Sequence, residues 1–171
     1  MINCFIPFAD AAQVEKTVKG LLETGVAGKI YLLDSGCGAT PLDGCEILHI
    51  SALNASSTIK AMAAKADAPY TLLYTKHSAL ELGYFALERM IRIMEDTHAG
   101  MVYADHYQIV GESKTNAPVI DYQFGSLRDD FNFGSVLLYR SDSFKDAANR
   151  MQSDYQFAGL YDLRLKLSQK E

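Results

Sequence analysis

The sequence has little with which to cross a membrane, grip nucleic acid or build a disulfide framework. Its apolar runs last only a few residues before a polar one interrupts, against the roughly 20 needed to span a bilayer. Any membrane contact is therefore expected to be peripheral or supplied by a partner. Lys and Arg number 16 against 21 Asp and Glu, giving a net charge of -5 and a pI near 5.3. No basic stripe is present to neutralise phosphates, which excludes nucleic acid as the main partner. Cysteines are three, Cys4, Cys37 and Cys45, with no CxxC pair and no charged-then-apolar leader, which fits reduced thiols in the cytoplasm. His49, His77, His98 and His106 show neither HxH nor HxxxH spacing, which argues against a structural zinc site. With 4 Pro, 12 Gly and 49% hydrophobic residues in 171, the chain is expected to be one globular domain with a real core rather than a disordered segment.

What is present is an alternation of short apolar runs and helical periods. Ile2-Asn3-Cys4-Phe5-Ile6-Pro7-Phe8 is an apolar run closed by a proline, which cannot donate to a ladder, so a buried strand ends there. Over Ala11–Glu23, Val14, Val18, Leu21 and Leu22 recur at helical spacing with Lys and Glu between, and Gly25 and Gly28 lie beyond as a stop. Residues 29–33 read as a second buried strand ending in Asp34-Ser35-Gly36-Cys37-Gly38, which completes a βαβ unit. Then come a strand at 46–50, a helix at 56–68 capped by Ser56 or Ser57, a strand at Tyr70–Tyr74, a helix at 84–97 and a strand at 100–105. This order predicts an α/β fold, a mostly parallel sheet with helices on both faces, doubly wound because crossovers are right-handed. Residues 111–128 keep no period and read as a long surface excursion, followed by a strand at 135–139 and helices from Ser141 and over 159–170. The last helix carries Leu160, Leu163, Leu165 and Leu167 with nothing after it to cover them, so a C-terminal truncation is expected.

In open parallel sheets, ligands bind at the carboxyl ends of the strands, where strand order reverses and loops from both sides converge. The polar residues that end each strand are the candidates: Asp10, Asp34, Asn54, Thr75-Lys76-His77 and Asp105-His106. A turn residue held by local hydrogen bonds is the competing reading for each. Gly36-Cys37-Gly38 lacks the full GxGxxG and does not open a helix, which argues against a dinucleotide fingerprint. Tyr103, Tyr107, Tyr122 and Tyr139 have the chemistry to stack on a sugar, and half-buried sheet positions explain them equally well.

Ile6-Pro7-Phe8-Ala9-Asp10, Leu32-Leu33-Asp34-Ser35-Gly36 and Ala68-Pro69-Tyr70-Thr71-Leu72-Leu73-Tyr74, followed by Val102-Tyr103-Ala104-Asp105, stand in a telling order. From Ile2 to about Lys166 the chain resembles family 2 glycosyltransferases, enzymes of the Rossmann-like GT-A fold that take a sugar from a nucleotide-diphospho-sugar. The resemblance implies that Pro7, Phe8 and Asp10 border the nucleotide and that Asp34 accepts a hydrogen bond from its base. It also places Asn54 and Lys60 in the segment leading into a helix, where Lys60 could reach a phosphate; a solvated helix lysine is the competing reading.

The departures carry as much weight as the matches. Ala9 stands where the family has a Tyr, so a ring such as Phe8 would have to replace it. Thr75-Lys76-His77 replaces the Asp-x-Asp motif that holds Mg²⁺ or Mn²⁺, leaving His77 with Asp105 as the metal candidates. Metal-independent catalysis is the other solution, with the Lys76 ammonium against the diphosphate. Residues 159–166 resemble the family's Glu-Asp-x-x-Leu-x-x-Arg helix start, which makes Asp162 the candidate catalytic base; its competing role is to favour the first turn of a helix through the macrodipole.

The function expected is inverting transfer from a nucleotide-diphospho-sugar, UDP-linked above others, to a saccharide or lipid-linked acceptor in polysaccharide or glycoconjugate synthesis, with peripheral contact at the inner face of the membrane. The alternative is a non-catalytic module of the same fold that binds or assembles. A nucleotidyltransferase is disfavoured because Phe8-Ala9-Asp10-Ala11-Ala12 contains neither Gly nor Lys, where such enzymes carry a glycine-rich, basic loop.

Overall fold

Six consecutive residues of the first strand, β1 (Ile2–Pro7), are buried, and their side chains alternate between two separate cores. Ile2, Cys4 and Ile6 point to one face with Ile30, Leu32 and Leu72, whereas Phe5 points to the other with Tyr31, Leu33 and Leu73. A strand covered on both faces belongs in the middle of a parallel sheet. The structure is a computed structural model that describes residues 1–125, 127–128 and 131–169.

The remaining elements are α1 (Ala11–Glu23), β2 (Ala27–Asp34), β3 (Cys45–His49), α2 (Ser56–Lys65), β4 (Tyr70–Tyr74), α3 (Ala86–Thr97) and β5 (Met101–Tyr103). They are followed by β6 (His106–Val110), β7 (Ser113–Ala117), β8 (Val136–Arg140), α4 (Ser141–Asn149) and α5 (Gly159–Ser168). The main sheet runs β3-β2-β1-β4-β8-β5. β1 pairs in parallel with β2 and β4, β2 with β3, and β8 lies antiparallel between β4 and β5. The chain leaves β5 at the carboxyl edge and re-enters at β8 without a crossover helix among the described residues, so β8 must run back against its neighbours.

Helices α1 and α3 cover one face through Val14, Val18, Leu21, Leu87, Met90 and Met94. Helices α2, α4 and α5 cover the other through Ile59, Met62, Phe144, Leu160, Leu163 and Leu167. The expected α/β architecture is therefore observed, mostly parallel and with helices on both faces. Of the leucines of the last helix, Leu160, Leu163 and Leu167 are buried in the same core as α2 and α4, and Leu165 is half-buried.

Three local expectations change. The 111–128 excursion begins inside a β-hairpin, because β6 and β7 pair antiparallel as a separate two-stranded sheet. The cap of α2 is Ala55 rather than a serine, and Ser56 Oγ instead accepts from the Tyr155 N–H at 3.0 Å. Helix α3 starts at Ala86 rather than 84, after Phe85 in the left-handed region at φ 52.

Candidate functional site

The chain builds outward from β1 through β2 to β3, then returns to β1's other side at β4, so strand order reverses between β1 and β4. At the carboxyl edge of that junction stand the β1–α1 loop, the Asp34 turn, the loop after β4 and the start of β8. The edge extends to α5, because its first residue and the segment before it are sewn to the start of α2: Gly159 N–H donates to Asn54 O at 2.7 Å and Ser56 N–H to Tyr155 O at 2.8 Å.

Asp34 ends β2 with its side chain 5% exposed. Its Oδ1 accepts from the N–H groups of Gly36 at 3.0 Å and Cys37 at 2.8 Å, its Oδ2 from Ala39 at 3.3 Å, and His49 Nδ1 lies 3.4 Å from Oδ2. A carboxylate offers about four acceptor positions, and three of them take turn N–H groups. The Asp34 carboxylate therefore orders the 34–39 turn, and Cys37 serves as a turn residue through its N–H. Burial opposes ionisation of Asp34, but the N–H groups of Cys37, Ala39 and Gly36, with His49 nearby, outweigh it and hold the carboxyl below the ordinary aspartate range. A depressed folded pKa means stability that is present above the ordinary aspartate pKa and lost as pH falls through the folded value. Urea midpoints for Asp34→Asn, measured between about pH 2 and pH 6, are expected to fall less with acid than those of the unaltered chain. Equal acid slopes would contradict this.

The first loop also departs from expectation. Phe8 is 5% exposed and packs into the α1 and α3 core, its N–H donating to Leu33 O at 2.9 Å, so its ring is not presented as a replacement for the missing Tyr. Pro7 is buried beside Leu33 in the β1–β2 ladder. Asp10 is exposed and caps α1, Oδ1 accepting from the Gln13 N–H at 2.8 Å. Asn54 and Lys60 are exposed, Asn54 at the joint with α5 and Lys60 within α2.

The loop after β4 is held at both ends while its middle is free. Thr75 N–H donates to Ser135 O at 2.9 Å. Ser78 O accepts from Gln13 Nε2 at 3.0 Å, Ser78 Oγ meets Tyr74 OH at 2.9 Å, and Leu80 N–H donates to Thr17 Oγ1 at 3.0 Å. Lys16 pairs with Glu81 just beyond. Between these anchors Lys76 and His77 are exposed and, among the described residues, without hydrogen-bond or ion-pair partners. Sequence reasoning missed Gln13 and Thr17. The signal was there, two polar residues one turn apart beside Val14, Val18 and Leu21 on the stripe that faces the core.

His77 and Asp105 form no ready-made cation cluster among the described residues. Asp105 Oδ1 accepts from the Val119 N–H at 2.7 Å, and Thr75 Oγ1 donates to Ser135 O at 3.3 Å. Among the described residues no three His, Cys, Asp or Glu side chains gather closely enough to hold a metal ion, so His77 and Asp105 lack a third such ligand. Asp162 lies in the first turn of α5, its side chain 14% exposed and Oδ1 3.9 Å from Lys166 Nζ. Gly159, three residues earlier, fixes where that turn starts. No helix among the described residues is long and apolar enough to cross a membrane.

No protein-family model and no curated protein matches this chain. Among solved structures, the chain is similar to 2-C-methyl-D-erythritol 4-phosphate cytidylyltransferase from Francisella tularensis, with a TM-score of 0.53 and 8% identity over 87% of this chain and 77% of that one. The enzyme of the same description from Thermus thermophilus matches with a TM-score of 0.53 and 12% identity, over 95% of this chain and 84% of that one. At these identities the likeness is one of fold, an α/β sheet with helices on both faces.

Proposed function

We propose that the carboxyl-edge crevice binds a nucleotide-diphospho-sugar, UDP-linked above others, and that the chain transfers the sugar to an acceptor hydroxyl with inversion and without a divalent cation. The observation that carries this reading is the pair Lys76-His77, unpartnered among the described residues on a backbone anchored on both sides, at the point where strand order reverses. Lys76 places its ammonium against the diphosphate and neutralises charge as it develops on the leaving group. Asp162 accepts the proton of the acceptor hydroxyl while that oxygen forms its bond to the anomeric carbon. The bond from carbon to the diphosphate oxygen breaks on the opposite side, and its electron pair leaves with the nucleoside diphosphate. Asp34 and the turn it orders border the base. The acceptor is a saccharide or lipid-linked hydroxyl, and synthesis takes place in the cytoplasm.

The test is release of nucleoside diphosphate from a panel of UDP-, GDP- and CDP-sugars with candidate acceptors in the presence of EDTA. Release that persists in EDTA and is lost in Lys76→Ala supports the reading; release that appears only on adding Mn²⁺ overturns its metal-free part. Two further readings are each favoured by one observation. The three turn N–H groups gathered on the Asp34 carboxylate favour a non-catalytic module, which predicts no release under any condition. The fold shared with two cytidylyltransferases favours nucleotidyl transfer, which predicts pyrophosphate release from CTP with a phosphorylated acceptor.

A further inference from the structure

The loop that carries Lys76 and His77 is fixed by α1 through side chains with no other evident purpose. Thr17 is 1% exposed, and its hydroxyl donates to Gln13 O at 3.0 Å while accepting the Leu80 N–H at 3.0 Å. Gln13 is 8% exposed, and its amide donates to Ser78 O at 3.0 Å although its Oε1 is buried without a partner among the described residues. Burying an unsatisfied amide oxygen is unfavourable, so a leucine in that position would satisfy the core better than the residue found there. What the glutamine adds is the hydrogen bond to the loop. The chain of contacts is continuous: Asp10 caps α1 at Gln13, α1 holds Ser78 and Leu80, and β8 holds Thr75, so the backbone on both sides of Lys76 and His77 is set before any ligand arrives.

We propose that Gln13 and Thr17 are positioning residues that pre-organise Lys76 and His77 for a diphosphate, and that they act through the backbone of the loop without touching the ligand. This rests on the reading of the crevice given above. A loop already ordered loses less conformational freedom when its ammonium meets an anion, so the benefit falls on ligands that reach Lys76 and is absent for those that do not. UDP and UMP share base and ribose and differ by the one phosphate concerned, which makes the ratio of their affinities the quantity that a merely structural role would not move.

The experiment compares that ratio by calorimetry, in EDTA, for the unaltered chain, Gln13→Leu, Thr17→Val, Thr17→Ser and Lys76→Ala, with amide hydrogen exchange over residues 76–82 recorded in parallel. Gln13→Leu and Thr17→Val keep side-chain bulk and remove the bonds to the loop; Thr17→Ser keeps the hydroxyl. The expected result is a fall of about tenfold in the preference for UDP over UMP in Gln13→Leu and in Thr17→Val, which is one loop hydrogen bond's worth of affinity. Exchange should quicken at 76–82 while β1 and β4 stay protected, Thr17→Ser should behave as the unaltered chain, and neither change should add to the loss already caused by Lys76→Ala. UDP binding with a ratio unmoved by Gln13→Leu and Thr17→Val overturns this assignment alone. Absence of nucleoside diphosphate binding to the unaltered chain overturns the transferase reading and this assignment with it.

Discussion

Gly159→Ala is expected to be among the most destabilising single changes in the molecule. An added Cβ would lie 2.5 Å from Ser56 N, 2.7 Å from Ala55 C and 2.8 Å from Asn54 O. All three are backbone atoms, so no rotamer change can make room, and the joint between α5 and α2 must open. Overpacking of this kind costs about 1–3 kcal/mol where side chains can yield, and a backbone clash belongs at the upper end. For a chain of this length ~3 kcal/mol lowers the melting temperature by roughly 10 °C. Gly20, within α1, is the control with the opposite sign. Nothing lies within 4 Å of a Cβ added there, so Gly20→Ala should stabilise by about 0.5–1 kcal/mol through helix propensity. Thermal and urea melts of the two variants measure both effects, and a Gly159→Ala chain as stable as the unaltered one would contradict the packing described here. The same joint sets where α5 begins, and with it the position of Asp162.

Asp162→Asn is expected to reduce transfer by about 10²–10⁴-fold, the usual contribution of a positioned general base, with nucleotide binding unchanged within about twofold. The substitution keeps the size of the side chain and removes only its basicity. Asp162 also favours the first turn of α5 through the helix dipole, and its distance of 3.9 Å from Lys166 is that of a weak pair, so the asparagine variant should melt close to the unaltered chain. Loss of turnover with intact binding and stability separates a base from a helix-terminus residue. Full transfer in Asp162→Asn would remove it from the mechanism, and loss of nucleotide binding would move it from catalysis to the donor site.

The strands of the main sheet were legible because each is an apolar run bounded by a turn, and the two-sided burial of β1 follows from its lack of polar alternation. The β6–β7 hairpin was not, since Tyr107, Ile109 and Val110 are exposed and no core imposes a period on it. The direction of β8 was equally hidden, because an antiparallel strand inside a covered sheet is as apolar as its parallel neighbours. Asp34 was legible as a strand-end carboxylate, but whether its oxygens face a ligand or its own turn depends on backbone geometry that residue type does not encode. Phe8 shows the same limit, an aromatic in the right place in sequence whose ring is drawn into the core. Gly159 could not be singled out either, because its importance comes from Asn54 to Ser56, which are distant in sequence.

The central claim is that the crevice holds a nucleoside diphosphate with Lys76 in place of a metal ion. Its most direct test is calorimetric titration of the chain with UDP, GDP and CDP, each in Mn²⁺ and in EDTA, and of Lys76→Ala under the same conditions. The account predicts saturable binding of one of these diphosphates, equal in Mn²⁺ and EDTA and weakened about tenfold or more by Lys76→Ala. Binding that requires Mn²⁺, or that is indifferent to Lys76, would contradict it.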